Sequence, residues 1–465
     1  MSVYARVFEG VVYRAWEQGL RGRPTLQHRA LLERSQWWSP SELRSWQAGA
    51  LRRLVSHAYA HVPYYREVMQ ARGLTPASFT APDDVARLPL LTKAAARIAP
   101  DRRRATAPPL PEINKLTGGT TGEPLTFGFD RGSEYWRHAT KFRGWGWAGY
   151  RVGMRAFYYW GPAQTATPPL ARRAQVALDR FSKRERYVDC TIRGEAELAA
   201  AAAALAAHRP EILICYTQAG VDLARYVLAH GGRTWRDVPV LCCAERLDPL
   251  DRPLLERAFG PVFETYGCRE VMLIGTECEA HDGLHLSMEN LLVELVVRSD
   301  DDDPGRPARP GEVGEVVVTD LHNLGMPFIR YALGDLAVAG DETPCACGRG
   351  LGRIRAVEGR TAETFRDARG APVCGILFSR IFSWSPALAA QVRHWQVVQH
   401  VDGALTLKVQ SDAPLTAAAR ADLERSFAQY LQGLAITVEQ VAAIPPGANG
   451  KRRTVIVETA ATAAG

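Results

Sequence analysis

Lysine is scarce in this chain. Six of the 57 basic residues are lysine (Lys93, Lys115, Lys141, Lys183, Lys408 and Lys451), leaving 51 arginines. The basic residues are dispersed, and the densest clusters, residues 102–104 and 451–453, are only three long. A phosphate-tracking surface needs a longer stripe with interleaved aromatics, so no nucleic-acid partner is expected. The net charge of +7 is compatible with an anionic small substrate. No run of about 18 apolar residues occurs, so no transmembrane span is expected. Arg6, Glu9, Arg14 and Glu17 break any signal-peptide core in the first twenty residues, and a cytoplasmic location is expected. No internal repeat is visible. With 46% apolar and 23% charged residues, global disorder and fibrous repeats are excluded. A chain of 465 residues predicts two to three domains and a core that needs no disulfide staples.

The expected class is α/β. Residues 1–95 read as a helical N-terminal extension. Ser39 supplies N-cap chemistry and Pro40 suits the first turn; Leu43, Trp46, Leu51, Leu54 and Val55 follow at near-helical spacing. Pro63 stops this helix after His57 and His61, which lack nearby Cys or carboxylate partners for a metal. From about residue 105, short apolar runs sit between Gly and Pro punctuation. Strands are expected at 157–160, 212–216 and 239–243, and helices at 195–208, from about Gly220, and through Leu254 and Leu255. That alternation predicts a largely parallel sheet. Residues 291–297 and 314–319 read as antiparallel strands joined by a polar linker. Beyond Gly359 a smaller α+β domain is expected, with a strand at 405–409, a helix over 417–431 and a strand at 436–438. The division is thus a helical extension at 1–95, a core at 96–359 and a small C-terminal lid at 360–465.

Five segments carry chemistry. Leu116, Thr117, Gly118, Gly119, Thr120, Thr121 and Gly122 form a glycine- and hydroxyl-rich loop of the kind whose N–H and O–H groups reach phosphate oxygens. A Walker-type Gly-Lys-Ser/Thr is missing, which excludes that loop class; a plain hairpin turn is the alternative. In the run from Glu264 to Glu270, Tyr266 suits a purine face and Glu270 a Mg²⁺ ion. Gly334 favours a turn that presents Asp335 to the two hydroxyls of a ribose. Gly359 and Arg360 stand at the proposed junction. Near the C-terminus, Gly447, Ala448, Asn449 and Gly450 lead into Lys451.

In order and texture these segments resemble the adenylate-forming enzyme superfamily. The nearest likeness is to its phenylacetate–CoA ligase-like family, including the branch associated with capsular polysaccharide genes and deazaflavin adenylylation. Further shared text is His57-Ala58-Tyr59-Ala60-His61-Val62-Pro63 and Leu88-Pro89-Leu90-Leu91-Thr92-Lys93. The resemblance implies a large adenylate-forming domain with a small lid and a two-step reaction. A carboxylate attacks the α-phosphate of ATP, and a thiol, usually that of CoA, then displaces AMP. It implies that residues 117–122 cradle phosphates, that Glu270 holds Mg²⁺ and that Arg269 lies at the nucleotide. Ala244, Glu245, Arg246, Tyr266 and Gly267 would flank the adenine, and Asp335 and Arg360 the ribose. Lys451 would steady charge on the reacting oxygens. A homodimer is also implied. The chain departs from the family at Glu123 (usually Lys), at Arg269 (usually Thr) and at Ala362 or Glu363, where relatives carry a hinge Asp.

Nine cysteines in a chain of cytoplasmic character argue against disulfides. Cys190, Cys215, Cys242, Cys243 and Cys374 lie in apolar runs and read as buried thiols. Cys278, His285, Cys345 and Cys347 combine soft sulfur with imidazole and suit a structural, tetrahedral Zn²⁺, as in some relatives. His281 is a rival ligand. The acyl pocket is expected near 157–160, a turn at Tyr216 and Thr217, and the segment after Tyr266; its aromatics suit an aromatic or other small carboxylic acid. Three classes remain: an acid–CoA ligase, an adenylyltransferase or amide-forming relative, and a non-catalytic protein on the same fold.

Overall fold

In the computed structural model the described residues are 3–116, 125–161, 169–298, 303–360, 364–368, 372–374, 377–378, 381–382, 385–431, 433–445 and 452–458. The side chains of Arg172, Arg360, Thr364, Pro372 and Cys374 fall outside that description. Thr117, Gly118, Gly119, Thr120, Thr121, Gly122, Ala362, Glu363 and Lys451 likewise lie outside the described residues.

The N-terminal residues are helical because the caps and apolar spacing demand it. Helix Pro40–His61 opens on a capping box, in which Ser39 accepts from the Glu42 N–H and Glu42 reaches back to the Ser39 N–H. It buries Leu43, Leu51, Leu54, Val55 and Ala58. Val62 is extended and Pro63 opens the next helix, Pro63–Ala71. Leu91 pairs with Tyr331 and so ties this layer to the central sheet. Arg330 completes the tie: its guanidinium pairs with Glu294 at 3.0 Å and donates to the Leu88 carbonyl at 2.7 Å.

The central sheet has twelve strands among the described residues. One half is parallel: Glu185–Asp189, Ala156–Trp160, Ile212–Tyr216 and Val240–Cys243 lie side by side. Apolar clusters cover both of its faces. The other half is antiparallel and includes Leu291–Val297, Val313–Asp320, Tyr331–Ala339 and Arg353–Arg360. The halves meet in one strand, Val262–Cys268. Its first residues pair in parallel with Val240–Cys243, and its last residues pair antiparallel with Met272–Glu277. Residues 392–457 form a separate four-stranded sheet with its own core around Phe378, Phe382, Val397 and Leu407.

Two expectations need correction. Gly334 is not in a turn. It lies inside strand Tyr331–Ala339 at φ +70°, where the register slips between Ala332 and Leu336. Turn and bulge both ask for a residue that tolerates positive φ, so the glycine alone does not separate them. Tyr216 and Thr217 form no turn either, since strand Ile212–Tyr216 passes directly into helix Thr217–Ala229. That helix starts three residues before Gly220, whose missing side chain admits the Cys215 sulfur: a Cβ there would lie 2.6 Å from Sγ. The basic triplet 102–104 is not wholly a surface feature. Arg103 is 1% exposed and donates to the Ala96 carbonyl at 2.6 Å.

Candidate active site

A cleft of about 530 Å³ opens where the parallel half of the sheet meets the antiparallel half. Ligands favour such switch points in α/β sheets because strand ends diverge there. Tyr266 and Gly267 come from strand Val262–Cys268, Asp335 from the bulge in Tyr331–Ala339, and Arg246 from the segment after Val240–Cys243. Arg452 and Thr454 of the C-terminal unit complete the wall.

The bulge at Gly334 and strand Val262–Cys268 bring two sequence-predicted residues together. The Tyr266 hydroxyl donates to Asp335 Oδ2 at 2.9 Å. Arg360 stands opposite Asp335 in the strand register, which places both proposed ribose residues on neighbouring strands. Gly267 is required sterically, since a Cβ there would sit 2.0 Å from the Met272 carbonyl oxygen. Glu270 is 5% exposed, and the Tyr331 hydroxyl donates to its Oε1 at 3.3 Å. Burial pushes the Cys268 thiol well above its usual range, and the charges of Glu270 and Asp335 add to that rise. The two carboxylates therefore act on a common point.

Ala244 is held at φ +69°, a strained conformation for a residue with a Cβ. The strain is fixed by its neighbours: Thr217 Oγ1 donates to the Glu245 carbonyl at 2.8 Å, and the Gln218 N–H donates to Glu245 Oε2 at 3.1 Å. Arg246 donates to Asp248 at 3.1 Å. The charge of Arg269 acts on Tyr216 and on Lys115. Lys115 lies in strand Glu112–Leu116, paired with Thr126–Asp130, and these strands flank the glycine-rich segment on both sides. Trp160 and Tyr216 meet edge to face with ring centres 4.6 Å apart.

Burial also perturbs the cleft's carboxyls. Glu264 is pushed up to about 7 by burial, with the charge of Glu277 adding. Asp251 is pushed up to about 6, again by burial. For Asp222 burial acts upward, but His394, Arg452 and Arg193 outweigh it and bring the carboxyl down to about 2.

A second constellation lies along the sheet. Ligand atoms of Cys278, His285, Cys345 and Cys347 all lie within 4.8 Å of one another. The Cys278 and Cys345 sulfurs are 3.8 Å apart, and Cys347 Sγ is 3.3 Å from His285 Nε2. Zn–S and Zn–N bonds at tetrahedral angles would put those pairs at about 3.8 Å and about 3.6 Å. His285 Nδ1 lies 3.1 Å from the Leu351 carbonyl, which assigns Nε2 to the centre of the group. The donor set fits zinc. His281 is outside it and pairs with Glu277 at 3.3 Å. Cys190, Cys215, Cys242 and Cys243 are buried and unbridged.

Sequence reasoning missed Tyr331 as the partner of Glu270, and it missed Asp222, Arg225 and His394 altogether. Arg330, four residues before Gly334, serves the tie to Leu88 described above.

The site is thus a switch-point cleft with an acidic strand bulge and a paired tyrosine, walled in part by a small C-terminal unit. No family model matches the chain. Over 394 residues it is 26% identical to a phenylacetate–coenzyme A ligase of Thermus thermophilus, covering 80% of this chain and 82% of that one. A phenylacetate–coenzyme A ligase of Aromatoleum evansii is 24% identical over 412 residues, covering 85% and 87%. In structure the chain is similar to 2-hydroxyisobutyryl-CoA ligase in its postadenylation state, with a TM-score of 0.68, 18% identity and 90% of each chain covered. Against the same ligase in its thioesterification state the TM-score is 0.56, with 20% identity and 91% of each chain covered. The chain is thus similar in sequence to phenylacetate–CoA ligases and in fold to an acid–CoA ligase. Among the described residues, no helix is long and apolar enough to cross a membrane.

Proposed function

We propose that the protein activates a small carboxylic acid with ATP and passes the acyl group to CoA. In the first step a carboxylate oxygen attacks the α-phosphorus, the bond to pyrophosphate breaks, and an acyl-adenylate forms. In the second step the CoA sulfur attacks the acyl carbonyl, AMP departs, and the thiol proton is released. The observation that carries this reading is the Tyr266–Asp335 hydrogen bond of 2.9 Å in a cleft walled by Arg452 and Thr454.

Asp335 and Arg360 bind the ribose hydroxyls, and Ala244, Glu245, Arg246, Tyr266 and Gly267 border the base. Thr117, Gly118, Gly119, Thr120, Thr121 and Gly122 hold the phosphates, with Arg269 beside them. Glu270 holds Mg²⁺, which neutralises phosphate charge when bound. Lys451 offsets negative charge on the reacting oxygens, because such transfers depend on positioning and charge neutralisation. The unit from residue 360 onward acts as a lid over the core at 96–359, behind the helical extension at 1–95. Cys278, His285, Cys345 and Cys347 hold a structural Zn²⁺; four protein ligands leave no open position for catalysis. Trp160 and Tyr216 support an aromatic or other flat small acid.

A second reading is transfer of the adenylyl group or formation of an amide on the same site. Arg269, standing where relatives carry Thr, favours it. ATP–pyrophosphate exchange with a panel of carboxylic acids, followed by addition of CoA, separates the readings. Acid-dependent exchange followed by thioester is expected. Exchange without thioester selects the second reading, and no exchange with any acid together with no ATP binding rejects both.

A further inference from the structure

Asp222 has no part in the chemistry just described, yet it is among the most heavily partnered side chains near the cleft. It sits in helix Thr217–Ala229, 11% exposed, and it meets two arginines and a histidine from separate parts of the chain. Arg193 Nε lies 2.9 Å from its Oδ2. Arg452 Nη1 donates to the same oxygen at 3.1 Å. His394 Nε2 lies 3.4 Å from Oδ1. Arg225 is three residues further along and on the same helix face. Its Nη1 is 3.1 Å from His394 Nε2, and its Nη2 donates to the Arg393 carbonyl at 2.9 Å.

Two of these partners give the cluster its meaning. His394 lies in strand Val392–Gln399 of the C-terminal unit, whereas Asp222 and Arg225 belong to the central sheet's layer. Arg452 is the residue after Lys451, and its Nε donates to the Ile444 carbonyl at 2.9 Å. One guanidinium therefore ties Ile444 of the C-terminal unit to Asp222 of the central layer. Exposed ion pairs of this length contribute little, but breaking a buried one strands a charge.

We propose that Asp222 is a positioning residue for the first half-reaction. Through Arg452 and His394 it docks the C-terminal unit against the cleft for that step, and it lets go before the CoA step. The proposal rests on the acid-activation reading above. The nearer likeness to a postadenylation state (TM-score 0.68) than to a thioesterification state (0.56) accords with it.

The test compares Asp222→Asn, Arg452→Gln and the double variant in two assays: ATP–pyrophosphate exchange, and thioester formation from CoA and preformed acyl-adenylate. Each single variant should lose roughly tenfold to a hundredfold in exchange kcat, the scale of a small misplacement of a reacting group. KM for ATP should rise by a smaller factor than kcat falls, as expected when an interaction acts mainly on the transition state. The double variant should be no slower than the worse single, and the CoA step should keep its rate or gain. Exchange at the wild-type rate, additive losses, or equal losses in both assays overturn the proposal. Should Asp222→Asn not fold, Arg452→Gln decides by the same criteria. Wild-type protein that exchanges with no acid rejects the acid-activation reading itself, before any variant is compared.

Discussion

The cysteine–histidine group offers the sharpest physical test. Its ligands come from two stretches of chain, with Cys278 and Cys345 separated by 67 residues. Between them runs the narrowest seam in the interior of the central sheet. Strand Leu284–Leu286 pairs with Arg353–Arg360 at only two positions, His285 with Arg353 and Leu284 with Ile354. Strand Arg353–Arg360 then continues to Arg360, opposite Asp335. Zinc would clamp this seam. Losing one ligand, as in Cys345→Ser, should release the metal and cost about 4 kcal/mol, the scale of a lost structural metal or a stranded buried group. Unfolding entropy is about 2.1 cal/mol/K per residue, so for a unit of roughly 350 residues that cost is a fall of about 5 °C in Tm. Metal analysis of the purified protein should give one zinc per chain, and calorimetry should show the fall in Cys345→Ser and after strong chelation. Protein that is metal-free as purified, with a Tm unmoved by chelator, would refute the reasoning. So would a Cys345→Ser variant that melts within a degree of the wild type.

Other outcomes follow from the cleft. Asp335→Asn removes the charged acceptor of the Tyr266 hydroxyl and of the ribose; KM for ATP in the exchange assay should rise roughly tenfold to a hundredfold, as for a charge-assisted hydrogen bond. Gly267→Ala would drive a methyl into the Met272 carbonyl, so nucleotide binding measured by calorimetry should vanish; retained binding with wild-type affinity would show that the strand moves freely. Glu264 titrates near 7 in the fold against about 4.5 in the unfolded chain. That raised pKa contributes stability below pH 4.5, and the contribution drains away as pH rises through 7, by about 3 kcal/mol. Melting curves from pH 5 to 8 should therefore fall in the wild type and flatten in Glu264→Gln, and parallel curves would remove Glu264 from the account. Lys451→Ala should abolish exchange while leaving the melting curve in place.

What the sequence made legible was local. Tyr266 and Glu270 are four residues apart, and Gly334 adjoins Asp335, so their chemistry is written in short spacing. Cys278, His285, Cys345 and Cys347 were legible as donor types, and the fold then separated His285 from His281. The same spacing left other features hidden. Nothing near Gly334 distinguishes a turn from a strand bulge, because both need positive φ, and only cross-strand register decides. Arg103 belongs to a short basic triplet, yet it is buried beneath Phe328, 5.7 Å from the ring centre, because its polar head finds a carbonyl inside. Asp222 and Arg452 are 230 residues apart, and no periodicity links residues brought together only when two separately cored units meet.

That last pairing bears on why the site lies where it does. Strand Val262–Cys268 changes from parallel to antiparallel pairing partway along its length, so it cannot keep both neighbours to its end, and the gap becomes the cleft. Helix Thr217–Ala229 begins at the C-terminal end of Ile212–Tyr216, two strands away in the same sheet. One end of the sheet therefore carries both the Tyr266–Asp335 pair and the Asp222 anchor. A lid that grips Asp222 must cover Asp335, because Arg452 and Asp335 line one cavity. Coupling between nucleotide binding and lid docking then needs no relay through the core. Nucleotide should tighten the lid, and by linkage a docked lid should tighten nucleotide by the same factor. Hydrogen exchange over residues 392–399, slowed by ATP in the wild type and not in Asp222→Asn, would display that reciprocity; slowing of equal size in both would place the coupling elsewhere.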